Sequence, residues 1–546
     1  MKCFVTMPKA VYYQWNAKRS LTLRVKDCNA PDVRSRPIAT NGKHKVQNKK
    51  GEMTPINVSI SAVEDNINDI HGISGIRISN DWILTHGMLL NSKIIHNTEL
   101  FNVISALVPG ELTHLPQSLN QIDFRVRIQT RSWTEMTTAI VSTTTVKQTN
   151  KEKGPNEYYK IFEKVNGSII YIWRCPLLTD TLENLFYAWK IYKILSHLID
   201  DTICLQNPTR GALIEIESTP FGNPIFIDSI SQGIVSNVLG TNNCVMLTDA
   251  NAAPGCEGGP VYLIDQEKSR VICGMVIAPL SWCRSEWVYY TFVACIIPCL
   301  RRLLKKWKNI KNVNGIVEQK LTDQLDRGVV LIRCGAEWGS GILLDRDTGT
   351  ILTCSHVVNE AANKRIRVIF HCNTIDNYSG MLNIWAKLIY RTPNGQPYDV
   401  AVLKVDSKKI NCALNTLKIG DCNVQRGELV MSAGFPFFSS TLPTITRGNV
   451  SNVSAYMLQT TCCIQSGASG GPIVRFDTGE LLGMVVCNVI SSNTLYPRLN
   501  MALPAAVFKD PINEYIKTGD VSALTSLSTH DIAVLRTWNF HLSSKI

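Results

Sequence analysis

The sequence predicts an all-β chain of two tandem modules, each a pair of Greek-key barrels ending in a short helix, and three observations predict it. One set of short motifs recurs in the same order in both halves. Between the motifs, alternating or β-branched runs are bounded by Gly, Pro, Asn and Asp, the pattern of strands and tight turns. The length of 546 residues, at about 150 per folding unit, leaves room for three or four units.

The repeat supplies the elements in order. Ile73-Ser74-Gly75-Ile76 matches Gly339-Ser340-Gly341-Ile342, and Ile83-Leu84-Thr85 matches Ile351-Leu352-Thr353, so each module opens on a glycine-rich strand and its partner. Gly233 to Val238 then matches Gly448 to Val453, and Leu247 to Pro260 matches Gln459 to Pro472 without a gap. Cys273-Gly274-Met275-Val276 finally matches Leu482-Gly483-Met484-Val485, ahead of a helix in each copy. These anchors place one module at 66–310 and the other at 322–520, with a basic segment at 1–65, a linker at 311–321 and a tail at 521–546. The first module is the longer between anchors, and its surplus near 130–156, rich in Thr, Lys and Glu, reads as an exposed insertion.

Composition excludes several roles. The net charge is +12, yet Lys and Arg are scattered apart from Arg301 to Lys308, which reads as a solvated helix face, so no nucleic-acid partner is expected. The apolar run Thr291 to Leu300 contains Pro298 and is too short to span a bilayer. Pro8 and Lys9 interrupt the stretch a signal peptide needs, so the 18 cysteines are expected to be buried thiols rather than a disulfide framework. No C-x-x-C pair occurs, and Cys295 and Cys299 suit a core better than a zinc site; neither metal nor organic cofactor is expected.

Chemistry concentrates in Gly467-Ala468-Ser469-Gly470-Gly471-Pro472. A glycine two places before a serine lets the N–H groups of both, here Gly467 and Ser469, aim at one point where an oxyanion would form. A serine hydroxyl needs a base to remove its proton, and the base needs a carboxylate to fix its tautomer. His356, after Leu352-Thr353-Cys354-Ser355, and Asp399, opening the apolar strand to Lys404, complete the order His, Asp, Ser expected of a chymotrypsin-like serine peptidase. Cys463, six residues before Ser469, stands where a trypsin carries an aspartate, so an uncharged specificity pocket is expected. The earlier copy reads Gly255-Cys256-Glu257-Gly258-Gly259-Pro260, and a glutamate cannot replace the serine as nucleophile. Met88 falls opposite His356, and a looser match sets Ser168 opposite Asp399, so the first module is expected to be a degenerate copy. His86 lies two places out of register and is read as structural.

The segment from Gln459 to Pro472 resembles the nucleophile region of Deg/HtrA-type peptidases, and Thr248 to Gly255 in the altered copy resembles it more closely still. No PDZ domain follows the second module, and Ser544-Lys545-Ile546 is similar to the S-K-L address read by the peroxisomal import receptor. Over most of residues 66–546 the chain thus resembles the trypsin-domain, leader-processing Deg relatives of peroxisomes. That resemblance implies an endopeptidase of the peroxisomal matrix that removes N-terminal leaders from imported precursors and processes itself, the insertion near 130–156 being the expected region of self-cleavage. It leaves open a homo-oligomer. The rival readings are a Deg-like quality-control peptidase and a non-catalytic peptide-binding scaffold.

Overall fold

The computed structural model describes residues 20–26, 56–62, 72–77, 82–86, 97–107, 112–116, 118, 123–129, 162–173, 208–264, 270–283, 286–296, 298, 319–362, 364–373, 379–410, 414–420, 423–436, 442–491 and 494–538. The insertion near 130–156, Met88, the basic run Arg301 to Lys308 and Ser544-Lys545-Ile546 lie outside them.

Among the described residues, twenty-five strands form four rings. The first contains β1 (Ser20–Lys26), β2 (Ile56–Ala62), β3 (Gly72–Arg77), β4 (Trp82–His86), β5 (Leu112–His114), β6 (Asp123–Gln129) and β7 (Phe162–Trp173), with helix α1 (Thr98–Ser105) between β4 and β5. The second is a closed barrel of β8 (Leu213–Ser218), β9 (Ser229–Leu239), β10 (Val245–Thr248), β11 (Pro260–Ile264), β12 (Arg270–Cys283) and β13 (Glu286–Cys295). After α2 (Gln319–Gly328) comes the third barrel, of β14 (Val329–Cys334), β15 (Glu337–Asp345), β16 (Thr350–Thr353), β17 (Ile366–Asn373), β18 (Ser379–Arg391) and β19 (Ala401–Val405). The fourth holds β20 (Leu429–Gly434), β21 (Thr444–Val453), β22 (Leu458–Thr460), β23 (Pro472–Arg475), β24 (Leu481–Ser491) and β25 (Thr494–Pro504), followed by α3 (Ala505–Thr518) and α4 (Ile532–Trp538). The expected all-β architecture of paired barrels with a C-terminal helix is the one observed.

Alternation builds the barrels. In the third, Val330, Ile332, Ile351, Val368, Ile384 and Leu403 share one face of the ring and are buried, each contributing about 1.5–3 kcal/mol by leaving water. On α3, Ala505, Phe508, Ile512 and Tyr515 repeat at helical spacing and form its buried face. The tail is not free beyond 520. Leu524 and Leu527 are buried, Tyr390 Oη lies 2.7 Å from Ser528 Oγ, and Trp538 Nε1 donates to Tyr456 O at 3.0 Å.

The rings repeat in pairs. The second runs β8-β9-β10-β13-β12-β11 and the fourth β20-β21-β22-β25-β24-β23, strand for strand. The third runs β14-β15-β16-β19-β18-β17, whereas the first runs β2-β3-β4-β1-β7-β6, so β1 occupies the place of β19. Register agrees, since Thr353 pairs with Ala401 and its counterpart Thr85 pairs with Leu21. Two expectations are thereby corrected. The first module draws β1 and β2 from before residue 66, so part of the basic segment is barrel wall. Ser168 lies inside β7, opposite Asp123 and Arg24, and not at the start of the strand that would carry an orienting carboxylate. The strand in the place of β19 arrives from upstream of β2, not from downstream of β4.

The modules meet through equivalent strands, β9 against β21 and β13 against β25. Asn237 Nδ2 donates to Thr444 Oγ1 at 3.0 Å, and the backbone N–H of Arg447 donates to Asp249 Oδ2 at 2.8 Å. Arg210, buried, forms a bidentate ion pair with Asp326 of α2. Burial pushes the Asp326 carboxyl up despite the adjacent guanidinium.

Candidate active site

Ser340 and Thr353, which recur in the repeat as Ser74 and Thr85, hold the nucleophile loop to the third barrel. Ser340 N donates to Ser469 O at 2.8 Å, Ser340 Oγ to Gly467 O at 2.8 Å, and Thr353 Oγ1 to Ser340 O at 2.7 Å. Gly339 explains why this strand opens on glycine. A Cβ there would stand 2.5 Å from Val357 Cγ2, a distance real Cβ atoms do not tolerate, and a tight 3.1 Å from Ser469 O. Val357, the residue after His356, and Ser469 therefore meet across a bare backbone.

His356 begins the short 3-10 turn His356–Ala362 that follows β16, and Asp399 lies just ahead of β19, the strand paired with β16. One carboxylate holds the histidine twice. Asp399 Oδ1 accepts from the backbone N–H of His356 at 3.0 Å, and Oδ2 bonds to Nδ1 of its ring. Partial burial pulls the imidazole down, but the hydrogen bond and charge of Asp399, with Glu337 beyond, outweigh it, so His356 titrates above the usual histidine value. An imidazole anchored at Nδ1 presents Nε2 as the free base, the geometry of an acyl-transfer dyad. Cys354 Sγ shares this corner, but it is buried against Val485 O and burial holds its thiol well above its usual value, so it is not a nucleophile.

Gly467 adopts φ 95° and Gly470 φ 84°, the left-handed region that favours glycine. A Cβ on Gly467 would stand 2.6 Å from Phe435 O. The loop is pinned by Ala468 N to Gln465 O, Gly470 N to Val485 O and Gly471 N to Ala468 O, at 2.8 to 2.9 Å. Among the described residues neither Gly467 N–H nor Ser469 N–H donates to a protein group, which leaves both available to an oxyanion.

The first module keeps this framework and changes its chemistry. Ser74 N donates to Glu257 O, Ser74 Oγ to Gly255 O and Thr85 Oγ1 to Ser74 O, the same three bonds as in the second module. Gly255 N–H, counterpart of Gly467 N–H, donates at 2.7 Å to Glu257 Oε2. The Glu257 carboxyl thus occupies the N–H that corresponds to Gly467 N–H. Burial raises the Glu257 carboxyl above its ordinary range, so its contribution to stability is full at acid pH and is lost as pH rises through its raised pKa. Glu257→Gln is expected to raise the melting temperature at pH 7 by about 2–4 °C for about 1 kcal/mol, with no gain at pH 4 and no change in turnover. A lower melting temperature at pH 7 would mean that the site favours the charge. His86, at the end of β4, is buried and desolvation lowers its pKa to about 4, so it stays neutral.

A family model described as a trypsin-like peptidase domain matches residues 339–484. This part of the chain is thus similar to trypsin-like peptidase domains. The peroxisomal leader peptide-processing protease of Mus musculus is 31% identical over 347 residues, covering 58% of each chain. The Homo sapiens protein of that name is 29% identical over 344 residues, again 58% of each. The periplasmic serine endoprotease DegP of Escherichia coli is 26% identical over 193 residues, 34% of this chain and 36% of its own. The match spans less than two thirds of the length of these curated relatives.

The structure joins His356 to Asp399 and shows what lies beneath Cys463, which the sequence does not reveal. Cys463 is buried, and burial pushes its thiol up to about 11. Its carbonyl accepts from Tyr290 Oη of the first module at 3.3 Å, and its Sγ lies 3.7 Å from Tyr289 O. Leu247, Leu280, Val288 and Tyr290 of the first module form one apolar cluster with it. Arg498 of β25 reaches Asp249 O and Asn251 Oδ1 alongside. Tyr290 has no counterpart motif in the repeat, so only the packing of the two modules reveals it.

Proposed function

We propose that the chain is a serine endopeptidase in which Ser469 attacks the scissile carbonyl, His356 carries the proton, Asp399 orients the imidazole, and the N–H groups of Gly467 and Ser469 receive the oxyanion. The observation that carries this reading is the double hold of Asp399 on His356, backbone and ring, beside a loop shaped for an oxyanion. Proton and electrons balance without a cofactor: Oγ bonds to the carbonyl carbon as its proton passes to Nε2, and the same proton leaves on the departing amine. Cys463 then floors a primary pocket without charge, which suits an uncharged residue before the cut bond.

The two mammalian relatives named as peroxisomal leader peptide-processing proteases, with Ser544-Lys545-Ile546 as an import address, support placing the enzyme in the peroxisomal matrix. There it removes N-terminal leaders from imported precursors and cuts itself, the import receptor being its partner at the C-terminus. Incubation of wild type and Ser469→Ala with a leader-bearing matrix precursor, read by intact mass, tests this. Loss of the leader at one site with wild type alone supports it; a precursor left whole by both, while a fluorophosphonate still labels Ser469, retains the peptidase and removes the substrate. Removal of Ser544 to Ile546 without change of location removes the address.

A further inference from the structure

The exposed face of the β17–β18 hairpin carries cations that the fold does not neutralise. In β17 and the residues before it, Lys364, Arg365 and Arg367 are exposed; in β18, Met381, Trp385 and Lys387 are exposed, Met381 at 55% and Trp385 at 52%. Register sets Arg367 directly between Arg333 of β14 and Trp385 of β18. Directly opposed residues of an antiparallel pair share a face. Arg365 and Arg367 both lie over the Trp385 ring, at 5.9 and 5.0 Å from its centroid. Stacking of this kind leaves the guanidinium edges free to donate.

Among the described residues, Lys364, Arg365, Arg367 and Lys387 make no ion pair within 4 Å. The carboxylate close by is Glu360, packed over Gly335. Beside the patch a cavity of about 290 Å³ is lined by Ala361, Lys364, Arg365, Trp385 and Leu388 among others. Ala361 belongs to the 3-10 turn that begins at His356, so the cavity opens at the far end of the turn that carries the base.

We propose that this face is an exosite for an acidic, extended segment of a polypeptide substrate. The inference rests on the peptidase reading above and adds a second point of attachment to it. Strand spacing of about 4.8 Å makes the row Arg333, Arg367, Trp385 about one peptide chain wide. Carboxylates meet the arginine forks, and the exposed Trp385 and Met381 take apolar side chains between them. The charges are exposed side chains strung along strands, a spread that favours a chain of carboxylates over a single phosphate.

The test compares peptides identical around the scissile bond, with and without five glutamates appended at either end. The glutamate peptide of one polarity is expected to show KM lowered by about tenfold, equivalent to about 1.4 kcal/mol, with kcat unchanged and the gain lost at high salt. Arg365→Glu with Arg367→Glu is expected to abolish the gain while cutting the short peptide as wild type does. Equal KM for all peptides in wild type, or a gain that survives charge reversal, overturns the proposal. Anisotropy of the labelled glutamate peptide on Ser469→Ala reads the exosite without turnover, so an inactive enzyme that still binds the peptide fails only the catalytic reading. Binding of an oligonucleotide or a phosphatidylserine vesicle in place of the peptide, lost in the same double variant, also overturns it.

Discussion

Ser469→Ala and His356→Ala will each lower kcat on the order of 10⁶-fold, and Asp399→Asn about 10⁴-fold, as measured on one peptide by burst and steady-state kinetics. The three do not act independently. Without Ser469 there is no nucleophile for His356 to deprotonate, so the double variant is expected to be no worse than either single one. The pH profile distinguishes a working dyad from a buried structural pair. His356 must be neutral to act, and Asp399 raises its affinity for a proton. Base is therefore lost as pH falls through a value above the usual histidine pKa, and the acid limb of kcat/KM lies correspondingly high. In Asp399→Asn the charge that raises the pKa is gone, so the limb of the residual activity is expected to move to lower pH. A limb that stays in place would assign it to another group. His86→Ala serves as the control: its imidazole is buried and neutral in a module whose nucleophile position is Glu257, so turnover is expected to hold while the melting temperature falls. A loss as large as that of His356→Ala would make the first module catalytic.

What was legible in the sequence depended on whether the information was local. The nucleophile loop is determined by residues next to one another: glycines at 467 and 470 with positive φ and a serine between them. The same holds for His356 and Asp399, each tied to the end or start of a strand whose alternation is plain. The repeat doubled this signal and set Glu257 opposite Ser469. Non-local facts were not legible. Nothing in Ser20 to Lys26 announces that this strand closes the first barrel in the place of β19, since parallel or antiparallel partnership across the chain is set by the packing of the whole sheet. Nor does Glu257 by itself reveal that its side chain turns back to its own loop rather than outward. The row Arg333, Arg367, Trp385 exists only once three strands are in register.

Tyr290→Ala will lower stability by about 3–5 kcal/mol and raise KM more than it lowers kcat. Both effects follow from where the ring sits. Tyr290 is 3% exposed and belongs to the first module, yet its neighbours include Cys463, on the segment expected to floor the primary pocket. Removing the ring empties a cavity beneath that segment and leaves Cys463 O without the hydroxyl it accepts from. The catalytic groups are held by other means, through Ser340, Thr353 and the Asp399 carboxylate, so the chemical step is expected to suffer less than substrate binding. Tyr290→Phe separates the two contributions. It keeps the ring and removes the hydroxyl that donates to Cys463 O, for a cost of about 1 kcal/mol and a KM rise of up to about fivefold. It should broaden tolerance for the residue before the cut bond. If both variants lose stability while KM and that preference stay as in wild type, the first module merely braces the second. If KM and preference move together with the Tyr290 hydroxyl, the degenerate copy persists because half of the wall behind the pocket is built from it, and a lost nucleophile is then compatible with a retained function.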